Sequence, residues 1–540
     1  MREAFTPPDP NIDVTSFIQH YKNHVFFLKQ EQSLQVLVMH LQQLFRIYFL
    51  PLFRLTRLTL FCVIAWPLVS TADSGLPAEL AAAIKQTGFR DDGIGLFIQG
   101  VDADKPLVSF QANKPLNPAS VVKLVTTAAA LDVLGPGYRW STDVLYTGQL
   151  DGDTLKGDLY FRGNGDPYMT PERFWRLLNR ISIDGIQHVS GNVYFDDTYF
   201  KPDPVDYGAF DEQPYRTYNV GPNAVLVGFQ ATEFHFAADA KHTPSVKITP
   251  FPDSPKLRIV NKVKLVNGGC GRWQKRLSLD TRQVDGIREV TFSGRYARAC
   301  DKRTLYRRIT GAQDHFQHFF LPLWDQLGSS VSGRIAQGVV PGNAKLLMDE
   351  SSISLAEAVR LINKFSNNVM TRQVLLTMGA HELGPPGTTD KGIAAVKAWL
   401  SKNKLDGNEL QLDNGAGLSR DTRVSATFLG RLLHHVYQQA YMPEFIASLP
   451  MSGYDGTMAH RFNDGPLLGH AHIKTGLLDF VQTMAGYVTT ASGKRYVVVL
   501  LHNDKRAHTK AGEQLQNRII RWTYNLTSGE ASRMLSSAKK

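Results

Sequence analysis

The stretch Asn117–Leu131, NPASVVKLVTTAAAL, has the pattern of a buried helix that should be apolar throughout, yet it carries a serine and a lysine near its start. Asn117 is a favourable N-cap, and Pro118 suits the first helical position, where its missing N–H is not needed. Residues three apart share a helix face, so Ser120 and Lys123 should lie together. Taken alone, the pair is also explained by a capping serine and a lysine that extends its amino group to solvent.

Beyond this helix, the sequence predicts a helical domain that a long β-rich segment interrupts. Strand-like alternation and Gly-rich turns fill about 200 residues, helical periodicity returns near Ser354, and a hairpin and a closing helix end the pattern. One sheet should not absorb so many strands. We therefore expect a main domain in two parts, residues 76–147 and 345–526, around an inserted β-rich module, residues 148–344, of two subdomains. Residues 527–540 should form a flexible tail.

The N-terminal region has the pattern of an export signal. Arginines precede the uncharged run Leu58–Val69, and small residues follow it, which gives a basic region, a short apolar core and a cleavage site. The run is short for a membrane span. We expect residues 46–72 to be a signal peptide that directs the chain to the periplasm, and an uncleaved N-terminal membrane anchor is the alternative. Residues 1–45 then form an extension, which a true start at Met39 would explain.

Charge and cysteine content narrow the possible partners. The formal charge of +11 is taken as spread along the chain rather than concentrated in a tail. No nucleic-acid-binding motif accompanies it, so no nucleic acid is expected as a partner. A merely solvated basic surface and a surface that binds an anionic polymer or membrane remain equally open. Outside the export signal the chain keeps Cys270 and Cys300, and an oxidising compartment favours a disulfide between them over two free thiols.

Two further motifs follow the first in a fixed order. Ser366 and Asn368 form SxN within NKFSNNVMTRQ, and Lys474, Thr475 and Gly476 form KTG before a strand-like run. Each motif alone is compatible with a plain loop or turn. The order SxxK, SxN, KTG in an exported chain is the combination found in serine β-lactamases and penicillin-binding proteins.

The three motifs together have a chemical rationale. A serine hydroxyl needs a neighbouring base, and Lys123 can be that base if burial and a nearby cation, Lys474, lower its pKa. Lys474 can also attract a substrate carboxylate. The serine of the second motif can relay a proton, and its asparagine can hydrogen-bond both lysine and substrate. The backbone N–H groups of Ser120 and Leu477 can stabilise a developing oxyanion.

From about Leu76 to about Tyr524, the chain resembles the D-alanyl-D-alanine carboxypeptidases/endopeptidases of the class C low-molecular-mass penicillin-binding proteins, the penicillin-binding protein 4 type. Segments such as LYFRGNGDPYMTPERFWRLLNRI, DNGAGLSRDTRVSA and SLPMSGYDGTMAHRF are similar to that family. The long gap between Ser120 and Ser366 fits the family's inserted domains, which compact β-lactamases lack. The resemblance implies an α+β fold, a serine β-lactamase/penicillin-binding transpeptidase-like domain of helices on an antiparallel sheet, interrupted by a β-rich insertion.

The resemblance also implies roles for residues. Ser120 would be the acylated nucleophile and Lys123 its base. The site residues it implies are catalytic Ser120, Lys123, Ser366 and Asn368, and substrate-binding Lys474, Thr475, Gly476 and Leu477. The family usually has serine or threonine where this sequence has Leu477. A backbone oxyanion donor survives that change, but a side-chain hydrogen bond to substrate would be lost.

The function that the resemblance implies is an exported serine D,D-peptidase. It would cleave D-alanyl bonds of peptidoglycan stem peptides through an acyl-enzyme on Ser120, and β-lactams would inhibit it by acylating the same serine. No cofactor and no metal are expected. The alternatives are a β-lactamase or esterase on the same fold, a non-catalytic murein-binding or penicillin-sensing scaffold, and a cytoplasmic hydrolase if the export signal is spurious. The sequence does not separate carboxypeptidase from endopeptidase action.

Overall fold

The computed structural model describes residues 75–204, 206–239, 245–405 and 409–537. The predicted extension, signal peptide and alternative start lie outside these residues. Within them, no helix is both long enough and apolar enough to span a bilayer.

A five-stranded antiparallel sheet forms the centre of the region that carries the three motifs. Its strands are β1 (Ile94–Gly100), β2 (Val108–Phe110), β18 (Ala471–Leu478), β19 (Val481–Thr489) and β20 (Arg495–Asn503). The strand order is β18-β19-β20-β1-β2, so β1 pairs along its whole length with the last strand of the chain. Strand β18, which carries the KTG motif, lies at an edge of the sheet, where one of its sides faces a cleft.

Helices cover both faces of this sheet. They are α1 (Ala78–Thr87), α2 (Lys123–Val133), α5 (Leu355–Phe365), α6 (Asn368–Leu383), α7 (Thr389–Lys402), α8 (Ala426–Tyr437), α9 (Met442–Ser448), α10 (Lys510–Asn525) and α11 (Ser528–Ser537). Side chains alternate across a strand. Accordingly, Phe97 packs with α2 and its neighbours, whereas Leu96 and Ile98 pack with α1 and α10. Helix α2 is buried along nearly its whole length, which explains why most of its residues are apolar.

The segment predicted as a flexible tail includes helix α11, and its flexibility stays a prediction. Thr527 caps this helix, because its hydroxyl oxygen accepts from the Glu530 backbone N–H at 3.3 Å and its own backbone N–H donates to the Glu530 carboxylate at 3.0 Å. Ala531 is buried against the layer that contains α1 and α10. Met534 and Leu535 pack against the same layer, so local capping and these apolar contacts extend regular structure beyond the point at which the apolar pattern ends.

Between the two parts of the main domain, two small sheets and two helices share one apolar core. The elements are β3 (Arg139–Tyr146), β4 (Gln149–Asp151), β5 (Thr154–Lys156), β6 (Leu159–Gly163), α3 (Pro171–Ile183), β7 (His188–Val189), β8 (Val193–Asp196), α4 (Ala312–Gln326), β15 (Ser330–Val331), β16 (Ile335–Gln337) and β17 (Lys345–Ser354). The sheet orders are β16-β8-β6-β3-β17 and β15-β7-β5-β4. Strands β3 and β17, which flank the insertion, pair with each other. The predicted boundaries at residues 148 and 344 remain a prediction.

Residues 232–309 form a smaller body, here called the basic lobe. Its strands are β9 (Thr232–Asp239), β10 (Ser245–Phe251), β11 (Leu257–Val266), β12 (Leu277–Val284), β13 (Ile287–Ala297) and β14 (Lys302–Arg307). They form two three-stranded sheets, β10-β9-β14 and β11-β13-β12, around one aromatic-rich core. Cys270 and Cys300 form a disulfide, which confirms the prediction from cysteine content.

The basic lobe holds almost all of the net charge of the protein. It contains 17 lysines and arginines against 7 aspartates and glutamates, an excess of 10 of the chain's formal +11. The expectation that the charge is spread along the chain is therefore wrong. The alternating strand pattern explains how the charge is accommodated, because the apolar positions face the lobe's core and the basic positions face outward.

Candidate active site

Ser120 lies in a tight 3-10 turn, Ala119–Val122, that leads into helix α2. The prediction that the helix starts at Pro118 with Asn117 as its cap is wrong, since the α-helix begins at Lys123. Instead, Asn117 Oδ1 accepts a hydrogen bond from the backbone N–H of Ala119 at 2.8 Å. Ala119 has φ +46°, a conformation that L residues rarely adopt. This strained backbone conformation of Ala119 directly precedes Ser120, which is half-buried at the cleft.

Lys123 lies on the first turn of α2 with its side chain wholly buried. Its Nζ is 3.0 Å from Ser120 Oγ and 2.7 Å from Asn368 Oδ1, and it also contacts the carbonyl oxygen of Ala416. These three neighbours are neutral. Burial lowers the pKa of Lys123 well below its ordinary value, and the positive charges of Lys474 and Arg372 lower that pKa further.

The second motif occupies the break between helices α5 and α6. Ser366 ends α5 in the left-handed conformation, with φ +58°, and Asn368 is the first residue of α6. The side chain of Asn367 caps α6 by accepting from the backbone N–H of Met370 at 3.1 Å. This sharp reversal points Ser366 and Asn368 at the same cleft. Asn368 Nδ2 donates to the carbonyl oxygen of Tyr218 at 3.1 Å, which orients its Oδ1 toward the buried amino group of helix α2.

The third motif lies on the edge strand β18. The Lys474 side chain is fully buried and its Nζ donates to Ser366 Oγ at 3.1 Å and to the Thr475 carbonyl oxygen at 2.8 Å. Burial without a carboxylate partner lowers the pKa of Lys474 to about 7. Thr475 is partly exposed, and its hydroxyl lies 2.7 Å from that of Thr457. Strand β18 and the neighbouring Thr457 therefore place an amino group and two hydroxyls on one side of the cleft.

Gly476 allows β18 to lie directly against the turn that carries Ser120. A Cβ at this position would fall within 3.0 Å of Thr483 Oγ1, of the Pro118 carbonyl oxygen and of the Ser120 backbone nitrogen. Any side chain would therefore force the strand and the turn apart. The next residue, Leu477, has a side chain that is 59% exposed at this edge.

The structure thus brings two hydrogen-bonded groups to one cleft: Lys123 with Ser120 and Asn368, and Lys474 with Ser366. Thr475 and Gly476 complete the wall beside it, and Leu477 follows on the same strand. Among the described residues, no group of three or more histidine, cysteine, aspartate or glutamate side chains is arranged to hold a metal ion.

Three contributors were not found from the sequence motifs. The carbonyl oxygens of Ala416 and Tyr218 accept hydrogen bonds from Lys123 and Asn368, and Arg372 adds a nearby positive charge. A cavity of about 480 Å³ opens beside them, lined in part by Asn219, Arg372, Asn414 and Ser419. The segment DNGAGLSRDTRVSA, which contains Ala416, was similar to the family already named, and that similarity was the available signal.

Comparison with known proteins identifies the family. Residues 76–526 match the D-Ala-D-Ala carboxypeptidase 3 (S13) family. The chain belongs to this family. The predicted enzyme class, a serine-type D-Ala-D-Ala carboxypeptidase, is thereby confirmed.

Individual members of the S13 family show how far the similarity extends. A D-alanyl-D-alanine carboxypeptidase from Actinomadura sp. (strain R39) is 27% identical over 436 residues, which cover 78% of this chain and 79% of that protein. Penicillin-binding protein 4 from Haemophilus influenzae has the same fold, with a TM-score of 0.69, 21% identity, and coverage of 83% of this chain and 99% of that one. The same protein has been crystallised with a novel β-lactam, and that structure gives a TM-score of 0.66, 20% identity and the same two coverages. The predicted fold class is confirmed.

Proposed function

We propose that Ser120 is the nucleophile of this S13 D,D-peptidase and that Lys123 is its general base. The observation that carries the proposal is the set of partners around Lys123 Nζ. A neutral amine has two N–H donors and one lone pair. Asn368 Oδ1 and the Ala416 carbonyl oxygen can take the two N–H bonds, which leaves the lone pair for the Ser120 hydroxyl at 3.0 Å.

The geometry supports a sequence of bond changes. Ser120 Oγ attacks the carbonyl carbon of a D-alanyl bond as Lys123 Nζ takes the hydroxyl proton. The backbone N–H groups of Ser120 and Leu477 stabilise the resulting oxyanion. The C–N bond then breaks, and the departing amine receives the proton that Lys123 took, relayed through Ser366, whose hydroxyl is hydrogen-bonded to Lys474. Water later attacks the ester, releases the acid and returns the proton to Ser120.

Lys474 and Thr475 are suited to hold the carboxylate of a D-alanyl substrate. A protonated Lys474 provides charge, and the hydroxyls of Thr475 and Thr457 provide neutral donors at the same edge. Peptidoglycan stem peptides present such a carboxylate, and a β-lactam places a carboxylate beside a reactive amide. The β-lactam complex of the H. influenzae relative supports β-lactams as ligands of this site.

We further infer that the protein acts outside the cytoplasm, in the periplasm. Disulfides persist in oxidising compartments and are rare in the cytosol, and the Cys270–Cys300 bond fits such a location. The substrate that the site accommodates is also outside the cytoplasm.

Intact-protein mass spectrometry after brief exposure to benzylpenicillin tests the proposal. We expect one covalent adduct on the wild type and none on Ser120→Ala, with circular dichroism showing that both proteins are folded. A parallel assay should detect D-alanine release from a D-Ala-D-Ala peptide by the wild type only. Rapid drug loss without an adduct would favour a β-lactamase. Neither adduct nor drug loss in folded wild type would favour a non-catalytic scaffold.

A further inference from the structure

The outer face of the sheet β10-β9-β14 in the basic lobe carries a groove that the active-site chemistry does not use. This face is concave and contains a groove of about 520 Å³, whose lining includes His235, Ala237, Lys247, Thr249 and Lys302. It is built on regular strands rather than on loops, so its side chains hold fixed spacings.

The strand register places the groove residues in ordered rows. Ala237 on the central strand is opposite Lys247 on one side and Lys302 on the other. The small Ala237 side chain therefore forms a floor between two lysine walls. Both lysines are exposed. Exposed lysines facing each other repel, so their pairing on either side of a recess is favourable when an anion occupies it.

The next two rows along the same face are polar and then aromatic. His235 is opposite Thr249 and Thr304. Two residues further, Phe251 and Tyr306 flank the central strand, with Tyr306 51% and Phe251 38% exposed. Since antiparallel strands rise about 3.4 Å per residue, the lysine row and the aromatic row, four residues apart, are separated by about 14 Å. Two carboxylates are present on this face: Glu233 in the aromatic row contacts His235 at 3.3 Å, and Asp239 lies opposite Ser245 in the row beyond the lysines.

Among the described residues, neither groove lysine forms a salt bridge, although Glu233 and Asp239 share the face. The described salt bridges of the lobe's arginines join Arg258 and Arg282 to Glu289, and Arg288 to Asp314. The two groove lysines do not take part in them. With an excess of ten positive charges in 78 residues, the lobe attracts polyanions in general. The lysine row and the aromatic row on this face together favour a ligand with an anionic group at one end and a ring or apolar face at the other.

We propose that this groove is a second binding site for the carboxylate-bearing glycan–peptide polymer whose peptides the active site cleaves. The proposal rests on the proposed function for the choice of polymer. Lys247 and Lys302 bind a carboxylate, the threonine hydroxyls and His235 contact polar groups, and Tyr306 stacks on a sugar ring. A recessed groove with polar walls fits a polymer strand better than a membrane surface. Two contacts on one polymer raise the local substrate concentration at the catalytic cleft.

The test compares binding of the full chain to purified peptidoglycan sacculi, measured by cosedimentation in a Ser120→Ala background that prevents digestion. We expect Lys247→Gln/Lys302→Gln to weaken binding by about fivefold to tenfold, as the loss of two exposed ion pairs allows. The matched control is Lys397→Gln/Lys494→Gln, which removes two exposed lysines from the main domain and should leave binding within about twofold. Turnover of a small soluble D-Ala-D-Ala peptide should be the same with the groove substitutions in an otherwise wild-type chain.

Two further probes identify the chemistry. In the first probe, the carboxylates of the sacculi are converted to amides. The wild-type groove should bind these amidated sacculi as weakly as the lysine double variant binds native sacculi. Tyr306→Ser should weaken binding to native and amidated sacculi alike, because stacking does not need the carboxylate. Equal binding by the groove and control variants would overturn the proposal. Loss of binding to phosphatidylglycerol vesicles with unchanged sacculus binding would overturn it in favour of a membrane surface. Absence of peptide turnover by the wild type would reject the proposed function instead, because binding is measured independently of catalysis.

Discussion

Three buried lysines near the cleft differ in what surrounds their amino groups. Lys123 and Lys474 have only hydroxyl, amide and carbonyl partners, so burial lowers their pKa values. Lys364, by comparison, lies 2.6 Å from the Asp455 carboxylate. A buried amine without a carboxylate is costly to keep charged. A lysine that acts as a base must be neutral, and burial without a carboxylate favours the neutral amine. The ion pair of Lys364 with Asp455 instead stabilises the fold.

We predict that Lys123→Met lowers the rate of acylation by benzylpenicillin by about 10²–10⁴-fold, the range that general-base catalysis contributes. The fold should persist, because the substitution removes an amine whose charged form is unfavourable at this position. Stopped-flow or gel-based acylation rates and the Tm measure the two effects.

Lys364→Met is the matched comparison, since it also replaces a buried lysine by a side chain of similar length. It should lower the Tm more than Lys123→Met does, because it leaves Asp455 without its partner, while acylation continues. Equal acylation rates in the two variants would rule out Lys123 as the base.

The pH dependence should reflect Lys474. With a pKa of about 7 in the free enzyme, this amine loses its proton as the pH rises, and the substrate carboxylate then loses its charged partner. We expect kcat/KM for a D-Ala-D-Ala peptide to fall above about pH 7, by tenfold per pH unit at the limit. A peptide with an amidated C-terminus should lack this alkaline limb. An alkaline limb of the same position for both peptides would exclude the proposed role of Lys474.

At this scale the motif order was enough to name the side chains of the site, since SxxK, SxN and KTG each specify residue types. It did not give the carbonyl oxygens of Ala416 and Tyr218, because every residue has a carbonyl group and only the fold selects one. Nor did it give the pKa of Lys474, which depends on burial that the folded chain creates.

Among the elements, two irregularities position the motifs. The break between α5 and α6 places Ser366 in a left-handed conformation, and the turn Ala119–Val122 delays the start of α2. The sequence predicted the first, because a polar cluster separates two apolar helical runs. It did not predict the second, because Asn117 and Pro118 are equally suited to begin an ordinary helix. The alternatives are an ordinary helix start at Pro118 and the turn Ala119–Val122, and the turn is the one that lies against strand β18.

That approach gives a prediction for Gly476→Ala. Because a Cβ there would fall within 3.0 Å of backbone atoms of Pro118 and Ser120, we expect the turn to shift and acylation by benzylpenicillin to fall by at least about 100-fold, comparable to the loss of an oxyanion donor. The control is Gly137→Ala, since a Cβ at Gly137 meets no atom within 4 Å. Similar acylation by both variants would mean that strand and turn can separate without cost.

Over the whole molecule, the interruption of one domain by another was visible in the sequence as a change from helical to strand periodicity. The pairing of the sheets was not. Strands β3 and β17 join across almost 200 intervening residues, with Leu145 opposite Leu346, and periodicity carries no information about which distant strands pair. The concentration of charge in the basic lobe was present in the residue counts and became visible once the lobe's limits were known.

The disulfide gives a prediction at this scale. It closes a loop of 30 residues within the basic lobe, and cross-linking such a loop stabilises the folded state by about 3–4 kcal/mol. Cys270→Ser/Cys300→Ser should therefore make the lobe more sensitive to limited proteolysis and weaken sacculus binding. Turnover of a small peptide should stay near that of the wild type, because the active site lies on other elements. Parallel loss of peptide turnover would show that the lobe and the active site unfold as one unit.

The pairing of β1 with β20 has a consequence for biosynthesis. Strand β1 is made early, but its neighbour in the central sheet is the last strand of the chain, which ends at Asn503. A nascent polypeptide that lacks this last strand contains Ser120 but cannot complete the sheet that brings Lys474 to it. Hydrolytic activity is thus delayed until synthesis is nearly finished, and a truncated chain has no competent nucleophile for either cell wall or antibiotic.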